Sequence, residues 1–104
     1  MWWSASILMK TSSETGRALP ALNEENIVLI QASSERAARA IGEKVGRGGE
    51  CRYKSNSGEE ITVGFDCVLS VYEILEGELA TGTELFSRHL RQSEADSLRD
   101  PFDD

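Results

Sequence analysis

The chain's single histidine, His89, stands beside Arg88 in the stretch GTELFSRHLRQ at Gly82–Gln92. An imidazole can transfer protons near neutral pH, and a guanidinium binds carboxylates and phosphates through paired hydrogen bonds. The alternation of residue types predicts a strand here, and neighbouring side chains of a strand point to opposite faces of its sheet. Arg88 and His89 are therefore not expected to form one site.

Arg88 is predicted to share a strand face with Phe86 and Glu84. A guanidinium on a partly apolar face needs a carboxylate partner or must reach towards water. Glu84, or Asp66 on a neighbouring strand, could supply that carboxylate. The alternative is that Arg88 recognises an acidic partner or a small anion. His89 is predicted to be an edge residue rather than a ligand or a base.

Few other residues could support catalysis or hold a cofactor. Cys51 and Cys67 lack CxxC spacing and only one histidine is present, so neither a disulfide framework nor a metal site is expected. A cysteine nucleophile is disfavoured because both cysteines alternate with apolar residues, which predicts burial. The acid pairs Glu59–Glu60 and Glu76–Glu78 lie in predicted turns, where solvated charge is expected. These features favour a protein without catalytic activity, without a metal and without a cofactor.

Two adjacent tryptophans, Trp2 and Trp3, must point to opposite sides of the first strand. A sheet covered by one helix has one well-buried face, so one tryptophan is expected to be exposed or covered by something else. Tyr72 and Ile74 are predicted on the less covered face as well, which favours a dimer or partner surface; cover by a long loop is the alternative. The candidate binding residues are Trp2, Trp3, Tyr72, Glu84, Arg88 and His89.

Hydrophobic periodicity predicts the elements that position these residues. Alternation predicts a first strand over Trp2–Lys10. The stretch Thr11–Glu25 contains Ser, Gly, Pro and charge without a sustained period and predicts a long loop. The apolar, β-branched run Asn26–Ala32 predicts a central strand.

A helix is predicted next, because the apolar spacing changes to that of a helical face. Ser33 or Ser34 can accept a hydrogen bond at its start, and glycines at Gly46–Gly49 offer left-handed conformations that would end it. The apolar face is predicted to consist of Ala37, Ala38, Ile41 and Val45.

A hairpin follows, with its turn at Asn56–Gly58. Pairing that is symmetric about the turn places Cys51 opposite Val63. A bulge or bend is predicted at Gly64 or Asp66 in the long second strand.

Glu84–Leu90 is predicted to form a last strand. The predicted fold class is thus α+β, with a mainly antiparallel sheet of about five strands and one helix packed on one face. The order along the chain is β-β-α-β-β-β.

Length and charge limit the domain organisation and the partners. The chain has 104 residues and a formal net charge of −7. Residues 1–92 are predicted to form a single domain, and the acidic segment 93–104 is predicted to be a disordered tail. An acidic surface repels phosphate, so neither nucleic acid nor an anionic membrane is an expected partner. The first ten residues lack the features of a secretory signal, which favours a cytoplasmic location.

A family resemblance is carried by five segments: WWSASILMK, IVLIQASSERAARA, YKSNSGEEITVGF, VLSVYEI and GTELFSR. Together they resemble a family of small bacterial proteins known as domain of unknown function 4288, over Trp2–Arg91. Trp3 departs from the pattern, because related sequences usually carry tyrosine there. The resemblance implies a bacterial, cytoplasmic, single-domain protein, and it carries over no catalytic residue.

Three hypotheses of function follow. The first is an interaction, regulatory or immunity-type protein that binds another protein or itself. The second is a sensor of a small anionic ligand that uses the open sheet face and Arg88. The third is a small enzyme whose site is completed by oligomerisation.

Overall fold

The computed structural model describes residues 1–16, 22–75 and 79–100. Within these ranges the chain forms four strands and two helices, which are β1 (Trp2–Ser13), β2 (Leu22–Gln31), α1 (Glu35–Gly48), β3 (Cys51–Lys54), β4 (Glu60–Ile74) and α2 (Gln92–Arg99). The α+β class is confirmed. The sheet of the described chain has four strands rather than about five.

The four strands form one antiparallel sheet in the order β2-β1-β4-β3. The hairpin of β3 and β4 has the predicted register, with Cys51 opposite Val63. β2 lies at an edge, so the prediction that Asn26–Ala32 forms a central strand is wrong. The physical reason is that an apolar run does not indicate how many strands are paired with it, and on one face of this run Ile27 and Leu29 are about half exposed.

β1 and β2 are longer than their periodicity indicated. Thr11 pairs with Leu22 and Met9 pairs with Glu24, so much of the predicted loop Thr11–Glu25 belongs to the sheet. The backbone ladder needs no particular side chain. Polar strand ends can therefore stay paired where the hydrophobic period has already stopped.

The predicted last strand, Glu84–Leu90, is not part of the sheet. Residues 83–91, called the C-terminal segment below, instead contact one face of the sheet through side chains and one carbonyl. A segment that lies on a face of a sheet alternates between inward and outward side chains, as a strand does. The sequence pattern could not separate these two arrangements.

α2 occupies Gln92–Arg99, and all but its first residue fall within 93–104, for which composition predicted disorder. Near its start, the carboxylate of Glu94 accepts hydrogen bonds from the backbone N–H of Arg91 at 2.9 Å and from its Nε at 3.1 Å. The backbone hydrogen bond, followed by the side-chain one, lowers the pKa of Glu94. A carboxylate in the first turn of a helix also complements the helix dipole. Residues 101–104 lie outside the described residues.

α1 begins as predicted and ends differently. The Ser34 hydroxyl accepts a hydrogen bond from the N–H of Ala37 at 3.1 Å. At the other end, Gly49 has φ −88° and right-handed geometry, and its N–H donates to the carbonyl of Gly46 at 3.0 Å. The helix therefore ends without the left-handed residue that the glycines had suggested.

The buried face of α1 is a stripe of small residues. Ala38, Gly42 and Gly46 are buried, whereas Ile41 and Val45, predicted to be core residues, are exposed. A Cβ atom added to Gly42 would lie 3.3 Å from Cγ2 of Val68. The small residues thus allow the helix backbone to approach the sheet closely, which turns the larger apolar residues towards the side of the helix.

The core lies between α1 and the central strand β1. Two register shifts in the β1–β4 ladder skip Leu69 and Asp66 of β4, and Asp66 is one of the two positions predicted for a bulge. The shift at Asp66 brings both Phe65 and Val68 to the α1 side, although they are three positions apart. The buried apolar core consists of Trp3, Ala5, Ile7, Met9, Ile30 and Ala38.

Candidate functional site

The face of the sheet opposite α1, called the open face below, carries a buried polar cluster. The even-numbered residues of β1 point there, because its odd-numbered residues form the core. Ser4 and Ser6 are buried on this face. The Ser4 hydroxyl donates to the carbonyl of Leu85, and the Ser6 hydroxyl donates to a carboxylate oxygen of Glu25. The two serines therefore hold the C-terminal segment and β2 in place.

Tyr72 of β4 extends this cluster. Its hydroxyl donates to Glu84 Oε2 at 2.8 Å, and its ring makes an edge contact with Phe86 at a centroid distance of 6.4 Å. The hydrogen bond to Glu84, with desolvation and the charge of Glu84 as smaller causes, raises the pKa of Tyr72. Tyr72 thus anchors the start of the C-terminal segment on the sheet.

Arg88 forms an ion pair with a residue that the sequence analysis did not consider. Its Nη1 lies 3.7 Å from Glu25 Oε2 on β2. Glu84 instead bonds Tyr72, and Asp66 lies 3.6 Å from Lys10 Nζ. The two suggested partners are thus engaged elsewhere. Glu25 had been placed in a loop, so no sequence pattern pointed to it.

The remaining candidate binding residues are spread over the molecule. Trp2 is exposed on the open face, whereas Trp3 is a core residue whose Nε1 donates to the carbonyl of Ala32 at 3.1 Å. His89 is exposed beside Arg88 and is not part of the polar cluster. The structure thus brings Tyr72, Glu84 and Arg88 together and leaves the other three apart.

The outer edge of β2 is the second notable feature of the sheet. No strand in the described part of the chain pairs with that edge over its ten residues. On the open face of β2, Ile27 and Leu29 are 52% and 48% exposed. An unpaired edge that also carries exposed apolar side chains is a template for pairing with another strand. The sequence analysis missed these two residues because it assigned them to a central strand.

The opposite side of the sheet is protected. β3 has only four residues, and beyond it the edge of β4 is bonded by side chains. Glu50 Oε2 accepts from the N–H of Phe65 at 3.1 Å, and Arg39 Nη1 donates to the carbonyl of Val68 at 3.4 Å. Short edge strands, bulges and charged side chains are devices that block unwanted pairing. Within the described residues, β2 carries no bulge and no comparable side-chain hydrogen bond to its outer edge, although Glu24 and Glu25 place charge on its first half.

A groove of about 390 Å³ lies beside α1, above the core face of β2. Its walls include Val28 of β2 and Val45 of α1, and Glu24 and Asn26 provide polar groups at its rim. The groove exists because α1 packs mainly over β1 and β4. Apolar surface is therefore accessible on both faces of the β2 edge.

The described residues show no group of three or more His, Cys, Asp or Glu side chains that could hold a metal ion. Cys51 and Cys67 are free thiols, and Cys51 is exposed rather than buried as predicted. Its strand β3 lies at the sheet edge, and among the described helices and strands it contacts only β4. Neither described helix is long and apolar enough to cross a membrane.

Comparison with known proteins gives a family and nothing more specific. No curated protein and no solved structure matches the chain significantly. The family described as Domain of unknown function (DUF4288) matches residues 2–87. This range includes all four strands, α1 and the first part of the C-terminal segment. The resemblance seen in the sequence is confirmed, and the chain belongs to the DUF4288 family.

Proposed function

We propose that this protein is a cytoplasmic interaction protein without catalytic activity, which binds another protein or itself through the β2 edge of its sheet. The observation that carries the proposal is the asymmetry of the two sheet edges. The β4 side is closed by β3, Glu50 and Arg39, whereas the outer edge of β2 runs for ten residues without a partner strand in the described part of the chain.

Strand addition fits the side chains of β2 as well as its backbone. In this mode of recognition, main-chain hydrogen bonds supply affinity and alternate side chains supply specificity. Ile27 and Leu29 are adjacent alternate residues on the open face, and Val28 lies between them on the groove side. A partner strand would therefore gain apolar contacts on both faces.

The polar cluster on the open face supports a structural role for its residues. Ser4 and Ser6 are buried, and their hydroxyls donate to the carbonyl of Leu85 and to the carboxylate of Glu25. A nucleophilic hydroxyl needs both a general base within hydrogen-bond reach and access to its substrate. The partner of Ser4 is a carbonyl, which is not a general base, and Ser6 is 0% exposed, so no substrate can reach its hydroxyl. Arg88, which the sensor hypothesis assigns to an anionic ligand, is paired with Glu25. These contacts favour attachment of the C-terminal segment over ligand binding or catalysis.

The test compares two lysine substitutions at exposed leucines. Leu29→Lys places a charge on the β2 edge, and Leu69→Lys places the same charge on β4, where the leucine is 45% exposed. Circular dichroism first checks that the purified wild-type protein and both variants are folded. Each protein is then analysed for self-association, and for stoichiometric partners that it captures from lysate of the native host. We expect the association to be lost in Leu29→Lys and kept in Leu69→Lys. Absence of any association, or its persistence in Leu29→Lys, would contradict the proposal.

A further inference from the structure

We propose that the strand bound at the β2 edge belongs to a second copy of this chain, paired antiparallel about a two-fold axis at Val28. This inference rests on the proposed function and names the partner. A symmetric dimer needs a surface that is complementary to itself. The composition and hydrogen-bonding pattern of β2 meet that requirement in one register.

The backbone groups of β2 that point away from the sheet follow from its pairing with β1. The N–H of Ala32 donates to the carbonyl of Met1 at 3.0 Å, and the β1–β2 register continues without a shift. Backbone groups of an antiparallel strand point alternately to its two neighbours. The backbone N–H and C=O groups of the even-numbered residues of β2 therefore point towards β1. The N–H and C=O groups that point outwards belong to Asn23, Glu25, Ile27, Leu29 and Gln31.

The distribution of charge selects the register. β2 has a polar half, NEEN at Asn23–Asn26, followed by an apolar half, IVLI at Ile27–Ile30. Antiparallel pairing about Val28 puts Ile27 of one copy opposite Leu29 of the other. It also puts Glu25 opposite the neutral Gln31. Ile27, Val28 and Leu29 thus meet apolar residues, Ile30 meets the neutral Asn26, and like charges directly opposite each other are avoided.

Neighbouring registers are less favourable. A two-fold axis at Ile27 would put the carboxylate of Glu25 opposite Leu29. An axis at Leu29 would leave Glu25 beyond the paired region and put Ile27 opposite Gln31. Parallel pairing in register would align the glutamates of the two copies, and like charges in contact are destabilising.

The groove beside α1 is consistent with the same arrangement. A two-fold axis between antiparallel neighbours is perpendicular to the sheet, so both α1 helices would lie on one side of a continuous eight-stranded sheet. The two grooves would then face each other across the paired β2 strands. Their apolar walls, Val28 and the 45% exposed Val45, would line a shared cleft.

Site-specific disulfide formation tests both the partner and the register. Val28 would face its symmetry mate as a non-hydrogen-bonded pair, whose Cα atoms lie about 4.5 Å apart, within disulfide range. Val28→Cys is made in the 104-residue chain in which Cys51 and Cys67 are replaced by alanine. Mild oxidation is expected to give a covalent dimer that is reversed by reductant.

Asn26→Cys in the same background is the matched control. In the proposed register the two copies of residue 26 are four strand positions apart, about 13 Å, which is too far for a disulfide. We expect the control to stay monomeric on a denaturing gel. Cross-linking of Asn26→Cys equal to that of Val28→Cys would overturn the register.

Sedimentation equilibrium of the wild-type protein keeps the inference testable if Val28→Cys does not fold. We expect a concentration-dependent mass approaching twice the monomer mass of 11.5 kDa, and a monomer for Leu29→Lys. A monomeric wild type that still captures another protein in a Leu29-dependent way would overturn self-pairing and leave the proposed function intact. A monomeric wild type without any partner would contradict both.

Discussion

Gly46 of α1 lies directly against the ring of Phe65 on β4, so that a Cβ atom at Gly46 would come within 2.6 Å of Cε1 and closer still to Cδ1. The contact explains why a glycine occupies a buried helical position. Arg47 covers the same ring from the next position, with its guanidinium carbon 5.0 Å from the centroid. Helix and sheet are held at a distance that only a glycine allows.

Gly46→Ala should therefore destabilise the protein. Forcing extra atoms into a packed core costs about 1–3 kcal/mol, which exceeds the gain of about 1 kcal/mol in helix propensity. Urea unfolding followed by circular dichroism measures the difference. Gly48→Ala is the control, because nothing lies within 4 Å of a Cβ at that position. A stability loss of equal size in both variants would show that the Phe65 contact is not the cause.

Ser4→Ala should loosen the C-terminal segment. The substitution removes the hydroxyl that donates to the carbonyl of Leu85, and such a bond contributes about 1 kcal/mol. We expect faster trypsin cleavage after Arg88 and Arg91 under native conditions. Ser12→Ala changes an exposed serine on the same strand and should leave the cleavage rate unchanged.

Arg88→Ala should cost less than Glu25→Ala. The Arg88–Glu25 pair is 3.7 Å long and its side chains are 42% and 30% exposed, so about 0–1 kcal/mol is expected from it. Removing Glu25 also leaves the buried Ser6 hydroxyl without its acceptor, for which the expected penalty is about 1–3 kcal/mol. Thermal unfolding of both variants checks the order. The reverse order would show that the ion pair matters more than the buried hydrogen bond.

Tyr72 should titrate above its ordinary pKa of about 10, because its hydroxyl donates to Glu84. Since the folded pKa is raised, the stabilisation is complete below the unfolded pKa and is lost as pH rises through the folded pKa. Tyrosinate absorbance in a Tyr53→Phe background isolates Tyr72, the other of the chain's two tyrosines. Adding Glu84→Ala, which removes the acceptor, should lower the midpoint. An unchanged midpoint would exclude the hydrogen bond as the cause.

The sequence predicted the features that depend on neighbouring residues. The hairpin register followed from the turn at Asn56–Gly58, and the start of α1 followed from Ser34. Strand alternation required Trp2 and Trp3 to face opposite ways, and Trp2 is 39% exposed while Trp3 is 7% exposed. Turn geometry, helix capping and the alternation of side-chain direction depend on residues close together in the chain, so the order of residue types predicts them.

Only the tertiary structure decided the strand order, the position of residues 83–91 and the partner of Arg88. β1 pairs with both β2 and β4, and no strand of the described chain pairs with the other side of β2, which is therefore an edge strand. Arg88 reached Glu25, and Ser4 reached Leu85, across contacts between segments far apart in sequence. Such pairings depend on which packing of the whole chain has the lowest free energy, and a periodicity confined to one segment contains no information about it.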